Sequence, residues 1–350
     1  MGSTYAPRTE TSGASDVRPT AQSAVALGGG HGLHASLSAL RQLHDELTLD
    51  QVTAVVTVAD NGGSSGRLRS QFNVLPPGDL RMALAALCGA DDWGQTWADV
   101  VQHRFAGEGE MNGHVIGNLL IVGLWERLGD PVLALDWVGR LLGARGRVLP
   151  MALTPMDITA RVRGLDPADP GAITLVRGQV EVATAEGEIV SVALDPQRPE
   201  ACPEAVAAIL EADWVVLGPG SWFTSVIPHL MVPELREALE QTTARLVVVL
   251  NLEPQAGETH GFAPEDHLGA LFEHAPDLRV HAVLAERRTV SDPETLGAAV
   301  ASAGAELVLA DLAQLDDQHR VTARHDHALL AAAYRSIVEA DEQTAAAAGD

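Results

Sequence analysis

The sequence predicts a doubly wound α/β fold on a mainly parallel sheet, with a small antiparallel excursion set into it. Three features of the 350-residue chain carry this expectation. Short apolar runs alternate with stretches of helical periodicity, the rhythm of strands joined through helices. The runs are nearly continuous in Val, Leu and Ala, as strands covered on both faces are. Two of them end in glycine-rich turns that lead straight into a helical pattern.

Ala24–Leu27 and Val52–Val58 read as buried parallel strands, and Leu33, Leu37, Leu40 and Leu43 between them mark one face of a helix. Together they form a β-α-β unit with glycines at its first turn. A Pro-Pro-Gly turn then leads to Asp79, expected to cap a helix through Leu80, Met82, Leu84 and Leu87. Helical segments follow around 93–105 and 114–142. Residues 145–195 change character: GRVLPMALTP, GAITLVRGQVEVAT and EIVSVALD alternate polar and apolar residues between turn signals, which predicts an antiparallel excursion. The α/β rhythm resumes with strands at Trp214–Leu217, Leu246–Leu250, Val280–Leu284 and Leu307–Leu309 and helices over 203–211, 232–241, 266–274 and 294–303. Residues 1–22 are rich in Ser, Thr, Gly and Pro and read as a disordered tail. One α/β domain is expected over 23–335, with 336–350 as a second tail.

Hydrophobic residues make up 46% of the chain and charged ones 20%, enough for a sizeable core. With 47 acidic and 23 basic residues the net charge is −24, which argues against nucleic acid as a partner because phosphate backbones need clustered Lys and Arg. A small anion can still be held locally, by backbone N–H groups or a few placed arginines. Cys88 and Cys202 have no metal-ligand spacing and read as buried hydrophobes in a reducing compartment. No run approaches the roughly 20 apolar residues of a membrane span. The amino-terminal residues lack the apolar centre of a signal peptide, so a cytoplasmic location is expected.

The chemistry concentrates in the turns. In LGGGHGL, residues 27–33, Gly28, Gly29, Gly30, His31 and Gly32 join a strand to a helix. Gly30, Gly32 and Ala35 fit G-x-G-x-x-G/A, a spacing that brings backbone against a phosphate at a helix N-terminus. ADNGGSSGRLR follows the second strand as a polar loop. Gly62, Gly63 and Gly66 can form an anion nest, Ser64 and Ser65 add hydroxyls, Arg67 and Arg69 offer planar forks, and Asp60 sits where an acid can take a ribose hydroxyl. PPGDLR supplies Asp79 and Arg81 at a helix start, and GHVIGNLL places His114 and Asn118 on one helix face. GPGSWFTSV forms the second strand–glycine–helix junction, with Gly218 and Gly220 and, near the helix start, Ser221, Thr224 and Ser225.

Taken in order, LGGGHGL, VTVADNGGSSGRLR, LPPGDLR, HVIGNLL, ARGRVLP, GPGSWFTSVIPHL, GETHGF and RHD resemble the gluconeogenesis factor family, the CofD-like bacterial proteins that bind UDP-sugars; the likeness spans roughly residues 23–335. It implies a Rossmann-like fold, UDP-N-acetylglucosamine as ligand, and a regulatory role between central carbon metabolism and cell-wall precursor supply, tied to gluconeogenic growth and cell shape. It places Arg324 near the nucleotide, where Arg324 and Phe262 would clamp the uracil. No cofactor is required, Mg²⁺ being an optional companion of the ligand, and no catalytic residue or resident metal is assigned. A homo-oligomer and a protein partner in amino-sugar or cell-wall synthesis are further expectations. The chain departs from the family pattern at His31, at Asn61, where a second aspartate is common, and at His260 and Phe262, where relatives have GETDGY.

Two enzymes compete with the binding-protein reading. Distant CofD relatives transfer phospholactate to a deazaflavin, and Asp60 and Asp79 could hold Mg²⁺ for such a step. Against this, GGGHGL and PPGDLR resemble the regulatory branch, and aromatics make up only 4% of the chain. A nicotinamide-dependent dehydrogenase explains the first glycine turn but not the second.

Overall fold

The structure is a computed structural model that describes residues 22–255 and 257–349. The tail expected over the first 22 positions lies outside the described residues except for Gln22. A seven-stranded, wholly parallel sheet forms the centre. Its first half comprises β1 (Ser23–Gly28), α1 (Gly30–Asp45) and β2 (Gln51–Val56). There follow α2 (Gly63–Phe72), α3 (Pro77–Ala86), α4 (Asp92–Gln102), α5 (Ile116–Leu128) and α6 (Pro131–Leu142), before β3 (Arg147–Pro150) closes that edge beside β2. The excursion holds β4 (Asp157–Arg163), β5 (Ile173–Arg177), the short α7 (Gln179–Ala183) and β6 (Glu188–Asp195), paired antiparallel in the order β5-β4-β6.

The second half begins with α8 (Pro203–Glu211) and β7 (Trp214–Leu217), which pairs with β1. A π-helical turn at Trp222–Val226 leads into α9 (Ile227–Met231) and α10 (Pro233–Gln241). Then come β8 (Arg245–Val249), α11 (Pro264–His274), β9 (Ala282–Glu286), α12 (Pro293–Ser302) and β10 (Glu306–Ala310). A hairpin of β11 (Ala313–Leu315) and β12 (Val321–His325) precedes α13 (His327–Gly349). The strand order β10-β9-β8-β7-β1-β2-β3 reverses direction between β1 and β7, and this switch point is where open α/β sheets form a ligand crevice.

The doubly wound parallel sheet and the antiparallel excursion are as the sequence predicts. Four local expectations are overturned. GRVLP belongs to the main parallel sheet, because Val148 and Leu149 pair with Ala54 and Val55 and bury against the core. Gln179–Ala183 is helical rather than extended. The ADNGGSSGRLR stretch is an open loop only as far as Gly62; from Gly63 it is α2. Residues 336–349 continue α13, with Ile337 and Val338 buried against the sheet and Asp341 paired to Arg245, so they are a docked helix and not a tail. Cys88 and Cys202 are buried and unpaired. No helix among the described residues is long and apolar enough to cross a membrane.

Candidate functional site

The two glycine junctions stand side by side at the switch point, since Leu27 of β1 pairs with Leu217 of β7. Their glycines do different work. A Cβ on Gly32 would collide with the Pro219 carbonyl and Gly220 Cα, so Gly32 lets the two turns touch backbone to backbone. A Cβ on Gly29 would run into Thr57 and Asp79. Gly30 adopts φ +56° and faces open space, which suits a position that a ligand approaches. Gly218 is fixed from behind, its carbonyl accepting from Ser36 Oγ at 3.0 Å.

Four helix starts meet beside this turn. Gly29 at the head of α1 abuts Asp79, Gly78 of α3 abuts Ser65 and Asp60, Asn118 of α5 donates to Ser64 Oγ at 3.1 Å, and Gly117 packs on Arg81. None of α1, α2, α3 or α5 has a side-chain cap, leaving their first N–H groups for other acceptors. The expected capping role of Asp79 is therefore corrected: Pro76 is the cap position, and Asp79 lies in the first turn, with its carboxylate against Gly29 at the head of α1 instead. The residue keeps some surface, but its carboxylate is enclosed. Burial, reinforced by the charge of Asp60, pushes its pKa up to about 7. Asp60 itself turns back to accept from Gly62 N at 2.8 Å.

Arg81 is buried, yet among the described residues it has no carboxylate within ion-pair distance; its guanidinium reaches only the Gly78 carbonyl, at 3.4 and 3.5 Å. A buried cation this weakly satisfied is suited to receive an anion. Sequence reasoning missed one neighbour, Thr57, and did not foresee that the predicted Ser64 and Asn118 meet each other beside it. Thr57 is fully buried with no partner for Oγ1, Asn118 has none for Oδ1, and Ser64 Oγ lies 3.2 Å from His114 Nδ1. An orphaned hydroxyl just past a strand end, such as that of Thr57, carries no sequence pattern of its own.

Several predicted residues are already engaged. Arg67 donates to the carbonyls of Asn112 at 2.8 Å and Glu110 at 3.5 Å, pinning that loop, and Arg69 pairs with Asp157 at 2.7 Å. Asn61 donates to Glu181 at 2.7 Å and accepts from Val180 N, so it fastens α7. At the second junction the N–H groups expected for a ligand are taken by the protein. The buried Glu258 carboxylate accepts from Phe223 N at 2.7 Å, Thr224 N at 3.3 Å and Thr224 Oγ1 at 2.6 Å. Burial raises its pKa while these donors oppose the rise. Ser221 begins that turn, and Ser225 Oγ reaches back toward Gly29. Asn251, absent from the predicted set, fixes Gly220 through two hydrogen bonds of 2.9 Å.

A cavity of about 720 Å³ opens over the junctions, bounded by Gly32 and Gly220 and by Arg324 on the hairpin, with His31, His34, His325 and His327 on its walls. Arg324 thus comes to the glycines, but Phe262 does not. It lines a second cavity of about 220 Å³ beyond the Asn251–Pro254 segment, edge-on to Phe223 and His267. The expected two-sided clamp is not assembled here. Among the described residues no group of three or more His, Cys, Asp or Glu is placed to hold a metal ion.

Comparison with known proteins agrees with this architecture. The family profile described as 2-phospho-L-lactate transferase CofD matches residues 24–329. A protein of Mycobacterium tuberculosis provisionally named gluconeogenesis factor is 51% identical over 320 residues, covering 91% of this chain and 90% of that protein. The gluconeogenesis factor of Halalkalibacterium halodurans is 37% identical over 287 residues, 82% of this chain and 84% of its own. A crystal structure of a Bacillus halodurans protein, described as a member of the UPF0052 family, superposes with a TM-score of 0.76 at 32% identity, covering 90% of this chain and 99% of that one.

Proposed function

The chain belongs to the CofD family and is similar in sequence to proteins named gluconeogenesis factor, and from that premise we propose that it is a nucleotide-sugar-binding regulator. Its ligand on this reading is UDP-N-acetylglucosamine. Its role is to adjust cell-wall precursor supply, and with it cell shape, during growth on gluconeogenic carbon. The observation that carries the reading is the switch-point crevice: a large cavity is lined by His31, Gly32 and Gly220 of the two glycine turns, with Arg324 on its wall, while Arg81 lies buried at the adjoining helix starts. A diphosphate needs N–H donors and cations, and glycine turns facing Arg324 across one cavity are the kind of wall that supplies them.

A second reading, a Mg²⁺-dependent transferase of the CofD type, is favoured by one feature, the nearness of Asp60 to Asp79, whose carboxylate feels its charge. Those carboxylates would hold the cation beside a ligand phosphate, where Mg²⁺ neutralises charge during transfer. Thermal unfolding with UDP-N-acetylglucosamine, UDP-glucose, NAD and GTP, each with and without Mg²⁺, separates the readings. Ligand at about 100 times its dissociation constant adds about 2.7 kcal/mol, a shift of a few degrees. Stabilisation by UDP-sugars without Mg²⁺ is the expected result. A shift with NAD or GTP and none with either UDP-sugar would sink the proposal, and strict Mg²⁺ dependence would favour the transferase.

A further inference from the structure

The wall of the large cavity is built from imidazoles in a chain whose net charge is −24. His31 and His34 come from the first turns of α1, His325 from the end of β12, and His327 from the start of α13. The rings of His34 and His327 lie 5.6 Å apart, and His325 is buried with no partner for Nε2. Among the described lining residues the only carboxylate is Glu253, while Arg324 adds a fixed positive charge.

Burial suppresses three of these imidazoles, and His327 adds to the effect on His34 and His325. Burial, then His327, His31 and Arg41, press His34 down to about 4. His325 is held at about 4 by burial, with Leu250 O and Glu286 opposing and His327 reinforcing. His327 is lowered by burial and by Arg41 against the pull of Asp326. Near neutrality the His34, His325 and His327 rings are therefore uncharged, crowded around a space where Arg324 opposes their protonation and Glu253 is the only carboxylate among the described lining residues. An anion in that space supplies further negative charge.

We infer that a phosphate-bearing ligand enters this cavity together with a proton from solvent, taken up by the His34–His327 pair while the buried His325 beside them stays neutral. His327, the least enclosed of the three by its half-buried setting, is the first to take it. The inference deepens the proposed function in naming how the site responds to pH, and it rests on that reading only for the identity of the ligand. Linkage fixes the sign. The complex binds more protons than the free protein, so affinity rises as pH falls, by up to about tenfold per pH unit where one full proton is taken up.

The test is calorimetric titration of the full chain with UDP-N-acetylglucosamine, whose diphosphate diester has no group titrating near neutrality. Two buffers of different ionisation enthalpy are used, from about pH 8 to about pH 6. Histidine NMR titrations with sodium sulfate, a dianion without a base, and with uridine, a nucleoside without an anion, accompany it. Expected are net proton uptake with the nucleotide sugar, upward movement of the His327 and His34 midpoints with sulfate, and no movement with uridine. Replacing both His34→Gln and His327→Gln should abolish the uptake and flatten the pH dependence without lowering the melting temperature. Binding of the nucleotide sugar without proton exchange, or uptake that persists in the double variant, overturns the inference and leaves the ligand reading intact. If the nucleotide sugar fails to bind but sulfate still moves the imidazole midpoints, the ligand reading falls and the inference stands. Midpoints unmoved by either anion refute it.

Discussion

Asp79 lowers the stability of the folded chain at neutral and alkaline pH. Its pKa is raised from 3.8 to about 7, so the folded state holds a proton that the unfolded state has released between those values. The contribution is absent below about pH 4, grows unfavourable as pH rises, and is complete above about pH 7. Asp79→Asn should therefore raise unfolding free energy by about 2–4 kcal/mol at pH 8 and by little at pH 4, as denaturant titrations at the two pH values would show. An equal change at both would mean that the carboxylate is not strained by its surroundings. Arg81 makes the complementary case. Arg81→Met removes a buried charge that, among the described residues, has no carboxylate within ion-pair distance and only the longer-range attraction of Asp79 and Asp60, so the melting temperature should change little. Affinity for UDP-N-acetylglucosamine should drop about 10- to 100-fold, the worth of a charged hydrogen bond. Unchanged affinity in calorimetry would place the phosphates elsewhere.

At the scale of elements, the glycine junctions separate packing from binding. Gly32→Ala drives a methyl into the Pro219 carbonyl, and neither backbone can yield without parting β1 from β7. Gly30→Ala meets open space and suffers only its left-handed φ, a cost of about 1–2 kcal/mol. Thermal unfolding should show Gly32→Ala as the more destabilised of the two, and ligand titration should show Gly30→Ala still folded but weakened in binding. The reverse order would mean that the junctions do not pack as described. The parallel strands and both junctions were legible in the sequence because β-branched runs and clustered glycines are local signals. The start of α2 was not. Gly62, Gly63 and Gly66 have loop composition, yet Gly66 is needed where a Cβ would strike the Asn61 carbonyl as the helix turns back on it. Nor was the filling of the second junction, since Glu258 reaches it from beyond β8 and no spacing within GPGSWFTSV announces an acid 34 residues later. Arg67 was readable as a cation but not as one already spent on the carbonyls of a loop more than forty residues away. The crevice was thus visible in outline, and its occupied donors were not.

For the whole molecule, the carboxyl ends of the strands gather the switch-point site at one end, and the last helix holds its wall in place. α13 follows Arg324 and His325 directly, contributes His327 to the cavity, and lies along α1, where Tyr334 meets Ser36 Oγ at 2.9 Å. Farther on, Asp341 pairs with Arg245 and Glu342 accepts from Gln22, tying the helix to both halves of the sheet. A chain ending after Asp326 loses the buried side chains of Leu330, Tyr334, Ile337 and Val338. At about 1.5–3 kcal/mol each, that removes about 6–12 kcal/mol, comparable to the whole stability of an ordinary domain. It also leaves Ser36 without its buried partner. Such a truncation should be insoluble or lack a cooperative unfolding transition. One ending after Gln343 keeps the Arg245 and Gln22 contacts and should melt within about 2 °C of the full chain, since it removes none of the buried apolar side chains named above. Differential scanning calorimetry of the two decides the matter: a cooperative, unshifted transition in the shorter chain would show that α13 rests on the sheet without stabilising it.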